Sequence, residues 1–276
     1  MRLATVRIEG TTAAARLIGD ELELLDAHDV GEAFARGIES VRPTGRTIRL
    51  ADADLAPVVV APSKVLCCGL NYRSHILEMH PDESLPPYPT LFAKFADTLA
   101  GARDDLPIPA AELAATIDWE VELTIVIGKR VKRANAAEAR TAIGGYTIAN
   151  DISMRDWQMR TSEWLQGKAW DATTPIGPVV VTPDEVDDAA SLTIECAVNG
   201  ELKQTGSTSD LLFRPADLVA YVSTFTMLRP GDLILTGTTG GVGMATGKRT
   251  LLVPGDVVTT RISGIGELTN RIVTED

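Results

Sequence analysis

Residues 117–128 read IDWEVELTIVIG, a stretch in which acidic and apolar residues alternate before the sequence becomes continuously apolar and β-branched. This pattern predicts a strand in the interior of a sheet. Because side chains two positions apart on a strand point to the same face, Asp118, Glu120 and Glu122 are expected to share one face. Carboxylates buried without a counter-charge are costly, so this face predicts either a divalent cation or an exposed edge strand.

Short strands and turns dominate the sequence on either side of this stretch. Residues 228–237 (LRPGDLILTG) and 251–262 (LLVPGDVVTTRI) each place a Pro-Gly-Asp turn before a strand-like run, and residues 192–201 (LTIECAVNGE) include an Asn-Gly turn. Helical patterns are fewer and cover residues 134–143, 151–164 and 214–226. The expected fold class is therefore α+β, strand-rich, without alternating βα units.

The first part of the chain has the pattern of a small separate unit. Residues 2–9 alternate like a strand, two further strand-like pieces joined by a turn follow, and residues 29–37 have a short helical pattern. A polar stretch containing proline and glycine comes next. We therefore predict a small N-terminal α+β domain over residues 1–58 and a larger domain over residues 59–276.

The composition of the chain argues against two classes of partner, nucleic acids and membranes. The 276-residue chain has 26 Lys and Arg against 38 Asp and Glu, a formal charge of −12, so nucleic acid is not expected as a partner. No run of 18 apolar residues occurs and the N-terminus lacks the apolar core of a secretory signal, so no membrane association is expected. Three cysteines form no disulfide framework, which predicts reduced thiols and a cytoplasmic location. A small anionic substrate would need a local positive centre.

A further acid, Asp151, ends the next strand-like segment, GGYTIAND. Asp151, Arg155, Gln158 and Ser162 are spaced i, i+4, i+7 and i+11, which places them on one stripe if residues 151–164 are helical. The alternatives are an acid in the first turn of that helix and a solvated arginine. Three carboxylates without His or Cys favour Mg²⁺ or Mn²⁺, with Ca²⁺ as an alternative, over zinc.

Acid–base chemistry is expected in the polar segment that follows the apolar run KVLCCGL. His75 and Glu78 are three positions apart, so on a short helix the carboxylate can hold the imidazole as a base; the alternative is a surface pair. Residues 81–90 (PDESLPPYPT) predict an extended loop over the site. Lys168 follows a glycine and, if desolvated, can stabilise negative charge; the alternative is a solvated lysine.

One glycine-rich motif is misleading. Residues 236–243 (TGTTGGVG) fit a dinucleotide-binding pattern and follow a strand-like run. The remaining chain has glycines and a proline where a helix would be required, so no βαβ unit can follow. The glycines are instead expected to allow tight turns and a close approach of the backbone to a ligand.

Many segments in a fixed order resemble the fumarylacetoacetate hydrolase superfamily, between about Lys64 and Asn270. They are GLNYRSHILE, PTLFAKFADTLAG, DWEVELTIVIGK, IGGYTIANDISMRDWQ, QGKAWDATTPIGP, VNGELKQTGST, LRPGDLILTGT and GVG. The resemblance implies a mixed β-sandwich roll, a homodimer and a divalent metal. The N-terminal unit is similar to the small leading domain of bacterial members, which makes the larger domain the catalytic one.

The resemblance also implies roles for individual residues. Glu120, Glu122 and Asp151 would be the metal ligands. His75 and Glu78 would form the general-base pair on a mobile lid.

The substrate-facing residues follow from the same resemblance. Arg155 and Gln158 would contact the carboxylate and oxo group of the substrate, and Lys168 would help to stabilise an enolate. Thr238 matches the threonine of the family's TGTP-type loop. Thr239 stands where that loop usually has proline, a departure that affects the substrate fit and the placement of Thr238.

The leading hypothesis from the resemblance is hydrolysis of a C–C bond in a 2,4-dioxo acid, of the acylpyruvate or fumarylpyruvate type. His75 would activate a water and pyruvate would leave as an enolate. The alternatives on the same site are an oxaloacetate decarboxylase and a 2-hydroxyhepta-2,4-diene-1,7-dioate isomerase/decarboxylase. A non-catalytic metal-binding β domain would be expected to lack members of this set. The side chains expected to shape the pocket for the substrate tail are Met79, His80, Tyr88, Leu211, Leu212 and Phe213.

Overall fold

The computed structural model describes residues 1–79, 84–246 and 252–275. In these ranges the strands are β1 (Arg2–Ile8), β2 (Thr11–Ile18), β3 (Glu21–Leu25), β4 (Pro43–Arg49), β5 (Val65–Gly69), β6 (Thr90–Lys94), β7 (Leu99–Ala100), β8 (Leu106–Ile108), β9 (Ile117–Asp118), β10 (Val121–Ile127), β11 (Ile143–Asn150), β12 (Ser153–Met154), β13 (Thr174–Val181), β14 (Thr193–Val198), β15 (Glu201–Ser207), β16 (Leu233–Thr238), β17 (Val257–Ile262) and β18 (Gly266–Thr274). The α-helices are α1 (Val30–Arg36), α2 (Arg73–Met79), α3 (Ala136–Ala142), α4 (Arg155–Gln158), α5 (Leu165–Lys168) and α6 (Pro215–Phe225).

A large mixed sheet organises the described part of the chain. Its strands run in the order β4-β3-β2-β1-β13-β11-β10-β16-β5-β6, with β7 beside β13. A second sheet, in the order β15-β14-β17-β18-β8, contacts the first where β18 meets β13 and β17 meets β11. Two sheets in contact with few helices confirm the strand-rich α+β prediction.

Strand β10 lies inside the large sheet between β11 and β16, as its apolar pattern predicts. The chain leaves the strand conformation between β9 and β10, but the alternation continues, and Trp119, Val121 and Leu123 are fully buried in one core. Each such side chain contributes about 2 kcal/mol on burial. This apolar side holds the strand in the interior, and the opposite side, with Glu120 and Glu122, is buried with it.

The N-terminal strands are continuous with this sheet. Strand β1 pairs with β13, where Leu3 faces Val180, and Val6 belongs to the same core as Trp119. The predicted hairpin forms between β2 and β3, and Asp29 caps the predicted helix α1. Because both the sheet and the core extend across residue 58, the domain boundary stays a prediction.

The helix predicted over residues 151–164 is wrong. Strand β12 pairs with β9 and keeps the chain extended after Asp151, so the helix α4 spans only Arg155–Gln158. Ser162 lies beyond α4 and is exposed. The single helical stripe from Asp151 to Ser162 therefore does not exist.

The other two predicted helices are confirmed as α3 and α6. A 3-10 turn, Gly243–Thr246, follows the glycine-rich loop after β16. Of the helices in the described ranges, none is long and apolar enough to cross a membrane.

Candidate active site

Three buried carboxylates meet where β10 begins and β11 ends. One oxygen each from Glu120, Glu122 and Asp151 lies within 4.8 Å of the other two. The three residues are 8%, 2% and 0% exposed. A buried all-carboxylate donor set of this size suits a hard divalent cation, as the sequence predicts for these three residues.

Pairing between the strands fixes the positions of the acids. Val121 of β10 lies opposite Asn150 of β11. The backbone N–H of Glu120 donates to Oδ1 of Asn150 at 2.9 Å, and the N–H of Asp151 donates to the carbonyl oxygen of Glu120 at 2.9 Å. Asn150 is a site residue that the sequence reasoning missed, and its only signal was its position beside Asp151.

Two buried lysines neutralise part of the acidic cluster. The Nζ of Lys168 lies 2.8 Å from Glu120 Oε2 and 2.9 Å from Asp151 Oδ2. The Nζ of Lys94 lies 2.6 Å from Asp151 Oδ1. The Lys168 side chain is 2% exposed, so the solvated alternative is wrong. Lys94 was not predicted, although a lysine that ends an apolar strand (TLFAK) is a recognisable signal.

Arg155 connects the cluster to a fourth acid, Asp118. Its guanidinium lies 2.9 Å from Asp118 Oδ2 and 2.7 Å from Glu120 Oε1, and it donates to Gln158 Oε1 at 2.8 Å. Asp118 also accepts two backbone N–H groups of the turn Gly243–Thr246. Asp118 and Glu120, which were expected to share one face, therefore have different contacts. Asp118 binds Arg155 and this turn, whereas Glu120 belongs to the acidic cluster.

The negative charge of the cluster is unevenly balanced. Burial opposes ionisation of Glu120, but the charges of Lys168 and Arg155 overcome it and lower the pKa of Glu120 to about 2. Burial, followed by the charges of Asp151 and Glu120, raises the pKa of Glu122 well above its ordinary value. In the described ranges, the carboxylate of Glu122 accepts one backbone N–H of β16 at 2.7 Å and has no ion-pair partner. A bound divalent cation would supply the positive counter-charge that the Glu122 carboxylate lacks.

His75 lies on α2 at the edge of the same cavity. Its Nδ1 is 3.5 Å from Oε2 of Glu78, and this oxygen accepts the N–H of Gly241 at 3.2 Å. His75 is 9% exposed, whereas the Glu78 side chain is 38% exposed. The predicted pair is therefore in contact, and Glu78 joins α2 to the glycine-rich loop. Residues 81–83 of the predicted covering loop, His80 and the side chain of Met79 lie outside the described part of the chain.

Thr238 lines the cavity, but its hydroxyl group has protein partners. It donates to the carbonyl oxygen of Val121 at 2.9 Å and accepts from Nε2 of Gln204 at 2.8 Å. Gln204, which the sequence reasoning missed, also donates to the carbonyl oxygen of Thr239 and accepts the N–H of Val121. Thr239 itself is buried against Gly206, where an added Cβ would lie 2.3 Å from its Oγ1. Gln204 therefore connects the TGTT loop to Val121, the residue between Glu120 and Glu122.

A cavity of about 190 Å³ is lined by seven of the predicted site residues: His75, Glu120, Glu122, Arg155, Gln158, Lys168 and Thr238. Its apolar wall includes Phe92 and Trp164, whose ring centroids are 5.7 Å apart. Gly69 allows this wall to form, because an added Cβ would lie 2.4 Å from the Trp164 ring. Four of the residues predicted to shape the tail pocket do not line this cavity: Tyr88, Leu211, Leu212 and Phe213.

Comparison with known proteins identifies sequence relatives. A family model described as "Fumarylacetoacetate (FAA) hydrolase C-terminal" matches residues 64–273. The human mitochondrial oxaloacetate tautomerase FAHD2A is 43% identical to this chain over 221 residues, which are 79% of this chain and 69% of the human protein.

Solved structures are similar over the full length. The 5-carboxymethyl-2-hydroxymuconate delta-isomerase of Mycobacterium smegmatis superimposes with a TM-score of 0.84 at 34% identity, with 100% of both chains covered. The fumarylacetoacetate hydrolase of Exiguobacterium antarcticum superimposes with a TM-score of 0.86 at 29% identity, again with 100% of both chains covered.

These names refine the expectations from the sequence. A tautomerase and an isomerase support the predicted alternative activities better than acylpyruvate hydrolysis. The cytoplasmic location, the homodimer and the oxo-acid substrate stay predictions, and the human relative is named as mitochondrial. The similarity extends over most of the chain and includes the segments that carry the acidic cluster. The chain is therefore an enzyme of the fumarylacetoacetate hydrolase family.

Proposed function

We propose that this enzyme moves a proton between carbon and oxygen of a small 2-oxo diacid, interconverting its keto and enol forms, with oxaloacetate as the first substrate to test. The observation that carries the proposal is the buried ammonium of Lys168, 2.8 Å from Glu120 and 2.9 Å from Asp151, in a cavity that His75 also lines. Negative charge that develops on a substrate oxygen there meets a fixed positive charge. The names of the human and mycobacterial relatives favour proton transfer over C–C hydrolysis.

A divalent cation fits the residues of this site. Glu120, Glu122 and Asp151 offer oxygen ligands at one point, and in the described part of the chain Glu122 has no cationic partner. When bound, the cation would polarise the 2-oxo group and stabilise negative charge on its oxygen. Mg²⁺ or Mn²⁺ is preferred, with Ca²⁺ as an alternative, because every donor is a carboxylate.

Gln158 is the proposed donor to the substrate carboxylate. The guanidinium of Arg155 is already bound to Asp118 and Glu120, and it donates to Oε1 of Gln158. This contact leaves the Nε2 amide of Gln158 without a protein acceptor in the described residues, at the wall of the cavity. Arg155 then orients Gln158 and adds positive charge nearby, which helps a protein of charge −12 to bind an anion.

His75 is the proposed proton carrier. Its Nδ1 faces Glu78, which leaves Nε2 for the substrate. His75 removes a proton from C3, the C–H electron pair forms the C2–C3 double bond, and the carbonyl electron pair moves to the C2 oxygen. The imidazolium or solvent then returns a proton to that oxygen. No water is consumed and no C–C bond breaks, in contrast to hydrolysis.

The test follows enol oxaloacetate by its ultraviolet absorbance with Mg²⁺, while released pyruvate is measured in the same sample. We expect the enol signal to decay faster with the enzyme than with EDTA-treated enzyme, and without matching pyruvate. His75→Asn should abolish the acceleration, whereas the matched control His28→Asn, which changes an exposed histidine, should keep it.

Other outcomes would overturn the proposal in distinguishable ways. Pyruvate formed as fast as the enol disappears would indicate a decarboxylase. Pyruvate released from acetylpyruvate, in a parallel sample, would restore the hydrolase hypothesis. Equal decay with and without the enzyme would remove oxaloacetate as a substrate.

A further inference from the structure

A second cavity, of about 230 Å³, lies away from the acidic cluster, between α3, residues 187–190 and the start of α6. Tyr146 of β11 lines it, four positions before Asn150. At about 3.3 Å per residue, the strand separates the two by about 13 Å. The second cavity shares no lining residue with the candidate active site, so it is a separate feature of the molecule.

Tyr146 has an unused hydroxyl group in this cavity. The residue is 1% exposed, and in the described ranges its hydroxyl makes no hydrogen bond. Burial raises the pKa of Tyr146 above its ordinary value, although the charge of Arg140 opposes the shift, so the hydroxyl keeps its proton at neutral pH. The residue lines the cavity, so this donor, which has no protein acceptor, is available to a ligand or water that accepts from it.

The start of α6 adds further donors. The helix has eleven residues, Pro215–Phe225, and its N-cap residue Arg214 makes no capping bond with its side chain. The N–H of Ala216 lies in the first turn, where the helix itself offers no acceptor, and Ala216 lines the cavity. Asp217 instead accepts the N–H of Arg214 at 3.2 Å. Such a helix start favours an anion.

The charges around the cavity leave one arginine available. Arg140 forms an ion pair with Asp188, so these two charges cancel. Arg214 has no ion-pair partner in the described part of the chain and lines the cavity. The remaining acid, Asp187, and Arg214 are both exposed, so solvent screens both charges and Arg214 acts on an anion only through direct contact inside the cavity.

We propose that this cavity binds a small oxyanion, a carboxylate or a phosphate. Arg214 supplies the charged contact, the first turn of α6 supplies backbone N–H groups, and Tyr146 supplies a neutral donor at the buried end. This site does not depend on the proposed activity of the acidic cluster.

The test is isothermal titration of the EDTA-treated protein with inorganic phosphate, and with acetate in a parallel arm. EDTA removes metal ions that would recruit either anion to the acidic cluster. We expect one binding event, weakened about tenfold by Arg214→Ala and about threefold by the isosteric Tyr146→Phe. Arg271→Ala, which removes an exposed arginine on β18, is the matched control and should bind like the wild type.

The two anions also identify the source of the ligand. Binding of phosphate alone or acetate alone would support the site and assign it to that anion. Absence of binding at millimolar concentrations of both anions would overturn the proposal. Equal affinity in the wild type and Arg214→Ala would overturn it as well.

Discussion

The floor and the rim of the candidate active site are built differently. The rim is the pair His75 and Glu78 on the seven-residue helix α2, where the Glu78 side chain is 38% exposed and its contacts are 3.2 and 3.5 Å long. The floor lies on or beside the strands of the large sheet, with side chains no more than 10% exposed and several contacts shorter than 3 Å. The floor consists of Glu120, Glu122, Asp151, Lys94 and Lys168.

This difference separates two tasks. Buried charges held by strand pairing are preorganised, so the floor is suited to stabilise charge on a bound substrate. The rim has few contacts, so its chemistry can change without disturbing the floor. The similar solved structures are named as an isomerase and a hydrolase, so proteins with this fold carry different named activities.

The largest effect is expected from Glu120→Ala on the floor. Lys168 and Arg155 would each lose a buried partner, so the free energy of unfolding should fall by about 3–5 kcal/mol and activity should disappear. Urea denaturation measures the first effect. Glu267→Ala, which breaks an exposed pair with Arg261, should cost less than about 1 kcal/mol. Equal urea midpoints for the two variants would contradict the distinction.

A rim substitution should separate activity from stability. His75→Asn is expected to lower the rate of proton transfer by about 10²- to 10⁴-fold, because it removes the base. Its urea midpoint and Mg²⁺ affinity should match those of the wild type, because no floor residue loses a contact. A large loss of Mg²⁺ affinity in this variant would show that floor and rim are one unit.

The stabilisation that the ion pairs of the floor give to the fold should decrease in acid. Lys168 and Arg155 hold the pKa of Glu120 at about 2 against burial, below its ordinary 4.5. Because the pKa of Glu120 is lowered in the folded state, its ionised carboxylate contributes its full stabilisation at pH values above 4.5. This contribution to the free energy of unfolding, up to about 3 kcal/mol, is lost as the pH falls from 4.5 toward 2. Urea denaturation in EDTA across this range should therefore show a steeper loss for the wild type than for Lys168→Met. Parallel curves would count against the ion pair.

The smallest effect is expected from Glu78→Gln. The amide keeps the size of the side chain and still accepts from Gly241, but it holds the imidazole less firmly, so kcat should fall about tenfold. Glu112→Gln, on an exposed glutamate outside the cavity, should keep the wild-type rate. A loss as large as that of His75→Asn would instead make Glu78 a direct participant in proton transfer.

Local sequence patterns predicted much of the fold and of the floor. The alternation around Glu120 and Glu122 identified the buried strand and the shared face, and Asp151 stood at the end of the next strand-like run. Turn residues identified the hairpins, and a short helical pattern identified the helix after Asp29. These signals act over a few residues, so they are readable without the tertiary structure.

The features that the sequence reasoning missed depend on distant partners. The helix after Asp151 failed because β12 pairs with β9, about 36 residues earlier in the chain, which no local pattern records. Lys94 and Gln204 carry no motif of their own and acquire roles only through Asp151 and Val121. Such contacts join segments that the fold alone brings together.

Mg²⁺ binding to three proteins, measured by isothermal titration with oxalate present as an enolate mimic, tests whether the acidic cluster holds the cation. We expect equal affinity, within about threefold, for the wild type and His75→Asn, because the rim does not hold the cation. We expect no measurable binding for Glu122→Gln, which replaces the one floor carboxylate without a cationic partner in the described residues. Wild-type Mg²⁺ affinity in Glu122→Gln would contradict the claim that the acidic cluster is the metal site.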